Sequence, residues 1–273
     1  MIKKTVRFIY KFLFIFTVKI INLLLKKSNI KVLPALEIGQ KFNFEFSKKT
    51  RRYILRKKSN SFGKIILDSS LDETSLCKLG RKFNTNKSSY NLGGHRSGYT
   101  SFYNLIFANL INKKCSVAEI GIEKNASTKM WREYFKKAKI DCFEIDRKKI
   151  NLAYKDKLKN VKYHYIDVSN KKIISSQFKK TKKKYDIIID DSTHLFDHQI
   201  NIILSTYKFL KPGGILVIED IYKFRKNYEE NKYYEKIKYI KNFFSHIVFL
   251  ETPHVNNFTA SWKNEKILLL IKK

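Results

Sequence analysis

The second half of the chain alternates short β-branched and aromatic runs with longer amphipathic stretches, and this alternation limits the possible folds. Strands that alternate with helices predict crossover connections and a parallel sheet covered by helices on both faces. The predicted strands are residues 116–121, 140–145, 161–166, 185–190 and 214–219, with helices at 127–137 and 195–210 and closing antiparallel strands at 246–251 and 266–271. Because ligands of such sheets bind at the carboxyl edge, the residues that follow each strand carry the functional information.

The first three predicted strands end in residues that suit a nucleoside. Gly121 ends the first strand, where a missing Cβ lets a ligand approach the backbone, although the full G-x-G-x-x-G pattern of dinucleotide sites is absent. Glu144 lies 23 residues later, at a distance where a carboxylate can accept hydrogen bonds from ribose hydroxyls. Asp167 ends the third strand and could accept from an adenine amino group. Alternatively, Gly121 forms an ordinary turn, and Glu144 and Asp167 cap the helices that follow their strands.

Four carboxylates follow the fourth and fifth predicted strands: Asp190, Asp191, Glu219 and Asp220. Like charges held close together raise one another's pKa unless a cation lies between them. Oxygen ligands without cysteine suit Mg²⁺ or a similar divalent ion. His194 comes three residues after Asp191, near enough to remove a proton from a metal-bound hydroxyl. Alternatively, these acids cap helices and pair with nearby lysines.

Together these residues resemble class I S-adenosylmethionine-dependent methyltransferases. Residues 77–221 resemble in particular the metal-dependent branch that includes macrolide sugar O-methyltransferases and cephalosporin-hydroxylase-like proteins. The matching stretches are residues 82–87, 118–131, 190–194, 210–214 and 219–220. The resemblance implies an α/β, Rossmann-like methyltransferase fold with a mostly parallel seven-stranded sheet and helices on both faces. The chain departs from the family pattern at Asn125 and Ala126, which are usually glycines, and at Asn86, which is usually Asp.

The resemblance also implies a role for each candidate residue. Asp191, Glu219 and Asp220 would bind the metal, and His194 would be the general base. The residues implied to bind S-adenosylmethionine are Lys87, Glu119, Gly121, Glu144, Asp167 and Asp190. The loop that holds Asn86, Lys87 and His95, together with Tyr99 and Tyr103, would close over the cofactor and the acceptor.

The implied reaction is O-methyl transfer to a hydroxyl of a sugar or glycan. An RNA methyltransferase is one alternative, but the chain lacks an [Asn/Asp]-Pro-Pro-[Tyr/Phe] motif after the fourth strand and clustered arginines in the core. A non-catalytic membrane-surface adaptor with a decayed site is another, consistent with the three departures from the family pattern. The tyrosines that follow the fifth strand either line an acceptor pocket or pack as a helix; they are Tyr228, Tyr233, Tyr234 and Tyr239.

The amino-terminal part of the chain is strongly basic. Residues 1–60 carry sixteen Lys and Arg against two acids. Residues 1–30 predict a basic amphipathic helix, whose longest uncharged run is only seven residues, whereas a spanning helix needs about 20 apolar residues. Three arrangements stay open: a helix on an anionic membrane surface, a marginal transmembrane anchor, or a helix packed on its own domain or on a partner subunit. Residues 31–76 are interpreted as a connector and 77–273 as the methyltransferase domain.

The net charge of +33 does not by itself indicate a nucleic-acid partner. Only nine of the 57 basic residues are arginine, the residue that nucleic-acid surfaces favour for its bidentate geometry. Three widely spaced cysteines without a CxxC pair indicate a reducing compartment. We therefore expect a cytoplasmic protein, peripheral at the inner face of the membrane, that acts on a surface glycan or lipid-linked sugar; a homo-oligomer stays open.

Overall fold

A computed structural model describes residues 13, 16–25, 30–33, 43–46, 63–70, 73–91, 96–223, 225–254 and 266–273. The chain forms two compact units, residues 1–61 and 62–273. In the first unit residues 16–24 are helical, and β1 (Ile30–Leu33) pairs antiparallel with β2 (Asn43–Phe46). The remainder of the predicted amino-terminal helix and most of the predicted connector lie outside the described residues. Within the described part of the chain, no helix is long and apolar enough to span a membrane.

The second unit is an eight-stranded sheet with helices on both faces. Its strands are β3 (Gly63–Ile66), β4 (Ser116–Ile120), β5 (Lys139–Glu144), β6 (Val161–Tyr165), β7 (Tyr185–Asp190), β8 (Leu210–Ile218), β9 (Phe244–Glu251) and β10 (Lys266–Lys272). Its helices are α1 (Ser75–Lys82), α2 (Tyr99–Phe107), α3 (Ala126–Tyr134), α4 (Arg147–Tyr154), α5 (Lys171–Lys180), α6 (Phe196–Thr206) and α7 (Glu230–Ile237). The strand order is β3-β9-β10-β8-β7-β4-β5-β6.

Strands β4 to β8 run parallel, and β10 lies antiparallel between β8 and β9. This arrangement confirms the predicted α/β class and the mostly parallel sheet. The sheet has eight strands and not seven, because β3 pairs parallel with β9 and forms the edge of the sheet. Residues 63–66 fall in the segment interpreted as a connector. Ile65 and Ile66 are 49% and 64% exposed, so β3 lacks the apolar alternation that would reveal a half-buried strand.

The core lies on both faces of the sheet, which explains the uninterrupted apolar runs in the sequence. In β7, Ile188 packs into the cluster on one face, and Ile187 and Ile189 pack into the cluster on the other. All three side chains are fully buried. A parallel strand buried on both faces needs apolar residues at every position. The same geometry brings the carboxyl ends of β4 to β8 to one edge.

Two of the positions that depart from the family pattern adopt conformations that their residues tolerate. Asn125 has φ +62° and immediately precedes α3, and asparagine is among the residues that enter this left-handed region most readily. Its amide donates to Asp156 and to the Tyr163 hydroxyl. Ala126 is the first residue of α3 and is not among the residues with positive φ. The turn after β4 therefore forms without the two glycines.

A buried ion pair ties the neighbouring strands together. Asp141 in β5 accepts from Lys183 Nζ at 2.5 Å and from the Tyr185 hydroxyl at 3.1 Å, and its other oxygen lies 2.9 Å from His164 Nε2. Burial raises the pKa of Asp141, but the hydrogen bonds from His164 and Lys183 outweigh burial and hold the pKa below its ordinary value. An acid whose pKa is lowered by folding stabilises the protein above its unfolded pKa, and this stabilisation is lost as the pH falls through the folded value.

We therefore expect Asp141→Asn to lower the free energy of unfolding by about 1–3 kcal/mol at pH 7, and by less below about pH 4. Urea denaturation at pH 7 and at pH 3.5 measures both values. Glu133→Gln is the control, because the Lys82–Glu133 pair is exposed and contributes little. An equal loss of stability at the two pH values would contradict the assignment.

Candidate active site

A cavity of about 660 Å³ opens at the carboxyl edge of the sheet. Five of the sequence-predicted site residues line it: Gly121, Glu144, Asp167, Asp191 and His194. Asn86 from the loop before α2 and His198 from α6 line it as well. Its volume lies in the range of small-molecule and cofactor sites. The cavity therefore occupies the edge where parallel sheets bind their ligands.

Gly121 lies directly against the backbone of the loop that follows β7. It has φ +88°, and a Cβ at this position would lie 2.1 Å from the carbonyl oxygen of Asp191. The loop after β7 is held against β4 by the Asp191 N–H, which donates to the Ile120 carbonyl at 2.8 Å. Both the backbone conformation and the available space therefore require glycine.

Glu144 and Asp167 are oriented by backbone N–H groups. Glu144 Oε1 accepts from the N–H of Ile145 at 2.8 Å and of Asp146 at 3.0 Å, and its Oε2 accepts from the N–H of Ile122 at 3.2 Å. Asp167 Oδ1 accepts from the hydroxyl and the N–H of Ser169, and these bonds lower the pKa of Asp167. The cavity thus has two fixed carboxylates that can accept from a hydroxyl or an amino group.

Asp191, His194 and Asp220 form one cluster. Each offers one ligand atom, and the three atoms all lie within 4.8 Å of one another. His194 Nε2 is 3.5 Å from Asp220 Oδ2. Burial raises the pKa of Asp220, and the charge of His194 opposes that rise. Two carboxylates and an imidazole at this spacing fit one divalent cation.

A second set of contacts lies beside this cluster and centres on Lys87. Lys87 Nζ is 2.5 Å from Asp191 Oδ2 and 2.5 Å from Glu219 Oε2. The Tyr103 hydroxyl donates to Glu219 Oε1 at 2.6 Å, and the Tyr99 hydroxyl donates to Asp220 Oδ1 at 2.6 Å. Lys87 and Glu219 are each 1% exposed. Glu219, predicted as a metal ligand, therefore has both of its oxygens bonded within the protein.

The electrostatics of this contact favour a charged lysine. Burial lowers the pKa of Lys87, but the charges of Asp191 and Glu219 outweigh burial and raise the pKa above its ordinary value. Burial raises the pKa of Glu219, and the Lys87 ammonium opposes that rise. A protonated amine between the two acids satisfies the buried Lys87 and Glu219 and the partly exposed Asp191.

The other predicted cofactor residues are buried and bonded within the fold. Glu119 accepts from Thr128 Oγ1 and from Trp131 Nε1, each at 2.9 Å. Asp190 Oδ1 accepts from the Ser192 hydroxyl at 2.6 Å, and burial raises the pKa of Asp190 to about 6. These two acids and Lys87 are not among the described residues that line the cavity, so their direct contact with a cofactor stays a prediction.

The remaining sequence-predicted residues differ in their positions and contacts. Tyr99 and Tyr103 orient the acids of the site, whereas His95 lies outside the described residues. Tyr228 and Tyr233 belong to the core, which favours packing over an acceptor pocket for these two. Sequence reasoning missed Thr128 and Trp131. Their spacing of three residues on α3 is the signal that places both over Glu119.

No family model matches the chain. A tetracenomycin rhamnosyl 3'-O-methyltransferase from Streptomyces olivaceus is 28% identical over 131 residues, which are 45% of this chain and 32% of that protein. Demethylmacrocin O-methyltransferase from Streptomyces fradiae is 25% identical over 131 residues, 45% of this chain and 32% of that protein. The chain thus matches about a third of the length of these curated relatives.

A solved structure of MycE methyltransferase, from the mycinamycin biosynthetic pathway and in complex with Mg, SAH and mycinamycin VI, is similar with a TM-score of 0.56. It is 14% identical, and the match covers 87% of this chain and 68% of that chain. The resemblance to class I S-adenosylmethionine-dependent methyltransferases is confirmed. At this identity the structural likeness establishes the methyltransferase fold, and the sequence matches establish relatives that are named as O-methyltransferases.

The methyltransferase fold depends on the close approach at Gly121, which a substitution can test. We expect Gly121→Ala to lower the free energy of unfolding by about 2–5 kcal/mol, because a Cβ there meets backbone and has an unfavourable φ. Gly213 also has positive φ, +73°, but a Cβ there would meet nothing within 4 Å. Gly213→Ala should therefore cost only about 1–2 kcal/mol. Urea denaturation compares the two variants, and equal losses would contradict the proposed close approach.

Proposed function

We propose that this chain is an S-adenosylmethionine-dependent O-methyltransferase that acts on a hydroxyl of a sugar or glycan with the aid of a divalent metal ion. The observation that carries this proposal is the Asp191–His194–Asp220 cluster, within 4.8 Å, at the rim of a 660 Å³ cavity beside Gly121. The relatives named as sugar-modifying O-methyltransferases support the class of acceptor.

The candidate cofactor-binding residues that line the cavity suit a nucleoside. Glu144 would accept from the ribose hydroxyls and Asp167 from the adenine amino group, since both carboxylates are fixed by neighbouring N–H groups. Gly121, which lines the cavity, would lie beside the methionine part of the cofactor. S-adenosylmethionine, when bound, supplies the methyl group, and Mg²⁺ or a similar ion lowers the pKa of the acceptor hydroxyl.

The metal-binding carboxylates in this proposal are Asp191 and Asp220. His194 lines the cavity with 26% of its side chain exposed, so its imidazole is accessible to an acceptor. Its Nε2 contact with Asp220 orients the ring, as a general base requires. Mg²⁺ prefers oxygen to nitrogen ligands. We therefore assign His194 to proton removal, with ligation of the metal as the alternative that the experiment below distinguishes.

The amino-terminal unit would bring the site to its acceptor. Several apolar side chains of the helical region are exposed, among them Phe16, Leu23 and Leu24, at 55%, 69% and 79%. Exposed apolar residues combined with a basic segment are typical of helices that lie on anionic membranes. On this proposal the domain works at the cytoplasmic face on a lipid-linked or surface glycan.

Two substitutions test the proposed chemistry. We expect the parent protein to bind S-adenosylhomocysteine and Mn²⁺ in calorimetric titrations and to transfer a labelled methyl group to rhamnosides or cell-surface glycans. Asp191→Asn should weaken Mn²⁺ binding at least tenfold, because it removes a charged ligand. His194→Ala should leave Mn²⁺ affinity within about threefold and lower kcat by about 10²–10⁴.

Gly213→Ala serves as the folded control. A His194→Ala protein that loses Mn²⁺ binding as severely as Asp191→Asn would reassign His194 as a metal ligand. A parent protein that binds neither S-adenosylhomocysteine nor Mn²⁺ would support the adaptor alternative and overturn the enzymatic proposal.

A further inference from the structure

His198 lines the cavity of the candidate site, and the proposed methyl transfer does not use it. Its side chain, on the first turn of α6, is partly buried and borders the cavity together with Asp167 and Thr193. A neutral imidazole carries one hydrogen-bond donor and one acceptor. It can therefore recognise a polar edge of a ligand, provided that the protein fixes its position and its tautomer.

The position of His198 is fixed by the contacts of α6. One turn further along the helix, Asn201 Nδ2 donates to the carbonyls of residues 168 and 169, at 3.2 and 3.0 Å. Gln199 Nε2 donates to the Glu219 carbonyl at 2.9 Å. These bonds join α6 to the segments that follow β6 and β8. His198 is thus held beside the turn after β6 before any ligand binds.

The tautomer of His198 is set by Thr193. The Thr193 hydroxyl oxygen lies 2.9 Å from His198 Nδ1 and accepts from the Leu195 N–H at 3.4 Å. Since this oxygen already accepts one bond, its own proton is directed to His198 Nδ1. The ring proton of a neutral His198 then lies on Nε2, which makes Nε2 a donor.

Asp167 supplies the complementary acceptor. Hydrogen bonds from Ser169 lower the pKa of Asp167, and the charge of His198 lowers it further, so the imidazole lies near this carboxylate. The cavity therefore has an acceptor from Asp167 and a donor from His198 on two neighbouring elements. A 6-aminopurine presents the matching pair on one edge: the amino group donates, and the ring nitrogen beside it, N1 or N7, accepts.

We propose that His198 is a specificity-determining residue of the nucleoside site, which donates from Nε2 to the adenine ring nitrogen beside the amino group while Asp167 accepts from that amino group. The inference rests on the proposed function, because it takes the adenosyl group of S-adenosylmethionine as the ligand, and it adds a residue to that site. A 6-oxopurine would turn an oxygen towards the Asp167 carboxylate. The pair therefore selects adenosine over inosine or guanosine.

Substitutions at His198 separate the donor from the shape of the ring. In calorimetric titrations, His198→Phe should bind S-adenosylhomocysteine about five- to twentyfold more weakly than the parent, because a ring without an N–H replaces the donor. His198→Gln keeps a side-chain N–H and should stay within about threefold. His246→Ala is the matched control, since His246 is exposed and is not among the residues that line the cavity. Circular dichroism verifies that each variant is folded.

Two analogues of S-adenosylhomocysteine, 1-deaza and 7-deaza, test the contact at one atom. Each replaces a ring nitrogen with C–H, so the parent should bind one of them at least about fivefold more weakly than S-adenosylhomocysteine. His198→Phe should bind that analogue and S-adenosylhomocysteine within about twofold of each other, since a double-mutant comparison isolates a single contact. If His198→Phe does not fold, Thr193→Val replaces it: loss of the hydroxyl that sets the tautomer should reduce the discrimination against the analogue.

The outcomes separate the inference from the proposed function. A parent that binds S-adenosylhomocysteine and both analogues equally overturns the inference alone. A His198→Phe protein that discriminates against the analogue as strongly as the parent does the same, as does one that loses Mn²⁺ binding and keeps its affinity for S-adenosylhomocysteine. A parent that does not bind S-adenosylhomocysteine overturns the proposed function, and the inference with it. Lost discrimination in His198→Phe, with Mn²⁺ affinity within about twofold of the parent, supports the inference.

Discussion

The buried bridge from Lys87 to Asp191 and Glu219 is the interaction on which the site depends. It joins the loop before α2 to the ends of β7 and β8, through two contacts of 2.5 Å. Tyr99 and Tyr103, on the helix that follows the loop, donate to Asp220 and Glu219. Without these donors the strand ends would hold several mutually repelling carboxylates away from water. The loop and α2 therefore hold the acids of the candidate site in place.

The parallel sheet explains why the candidate residues for the nucleoside and for the metal lie at the same edge. Strands β4, β5 and β6 end near Gly121, Glu144 and Asp167, whereas β7 and β8 lead into Asp191 and Asp220 of the candidate metal cluster. The loop after β7 lies close to both sets of residues. The backbone carbonyl of Asp191 lies against Gly121, and the Asp191 carboxylate contacts Lys87 Nζ. A methyl donor and a metal-bound hydroxyl would thus meet at one place, with positions set mainly by rigid strands and their hydrogen bonds.

The sequence predicts the sheet well where burial is complete and poorly where it is not. Strands such as β7 appear as apolar runs because both faces are covered, and the carboxyl ends of β4 to β8 could be assigned to one edge. Strand β3 could not be predicted, since Ile65 and Ile66 are exposed. The partners of Lys87 lie 104 and 132 residues away along the chain. A contact of that kind depends on tertiary packing and leaves no periodic signal, so the sequence did not reveal the ion pairs of Lys87 with these acids.

The most direct test of the account is the anomalous diffraction of a crystal grown with Mn²⁺ and S-adenosylhomocysteine. We predict one Mn²⁺ peak at the carboxylates of Asp191 and Asp220, next to the bound nucleoside. A crystal with no peak at Asp191 would contradict the metal centre altogether.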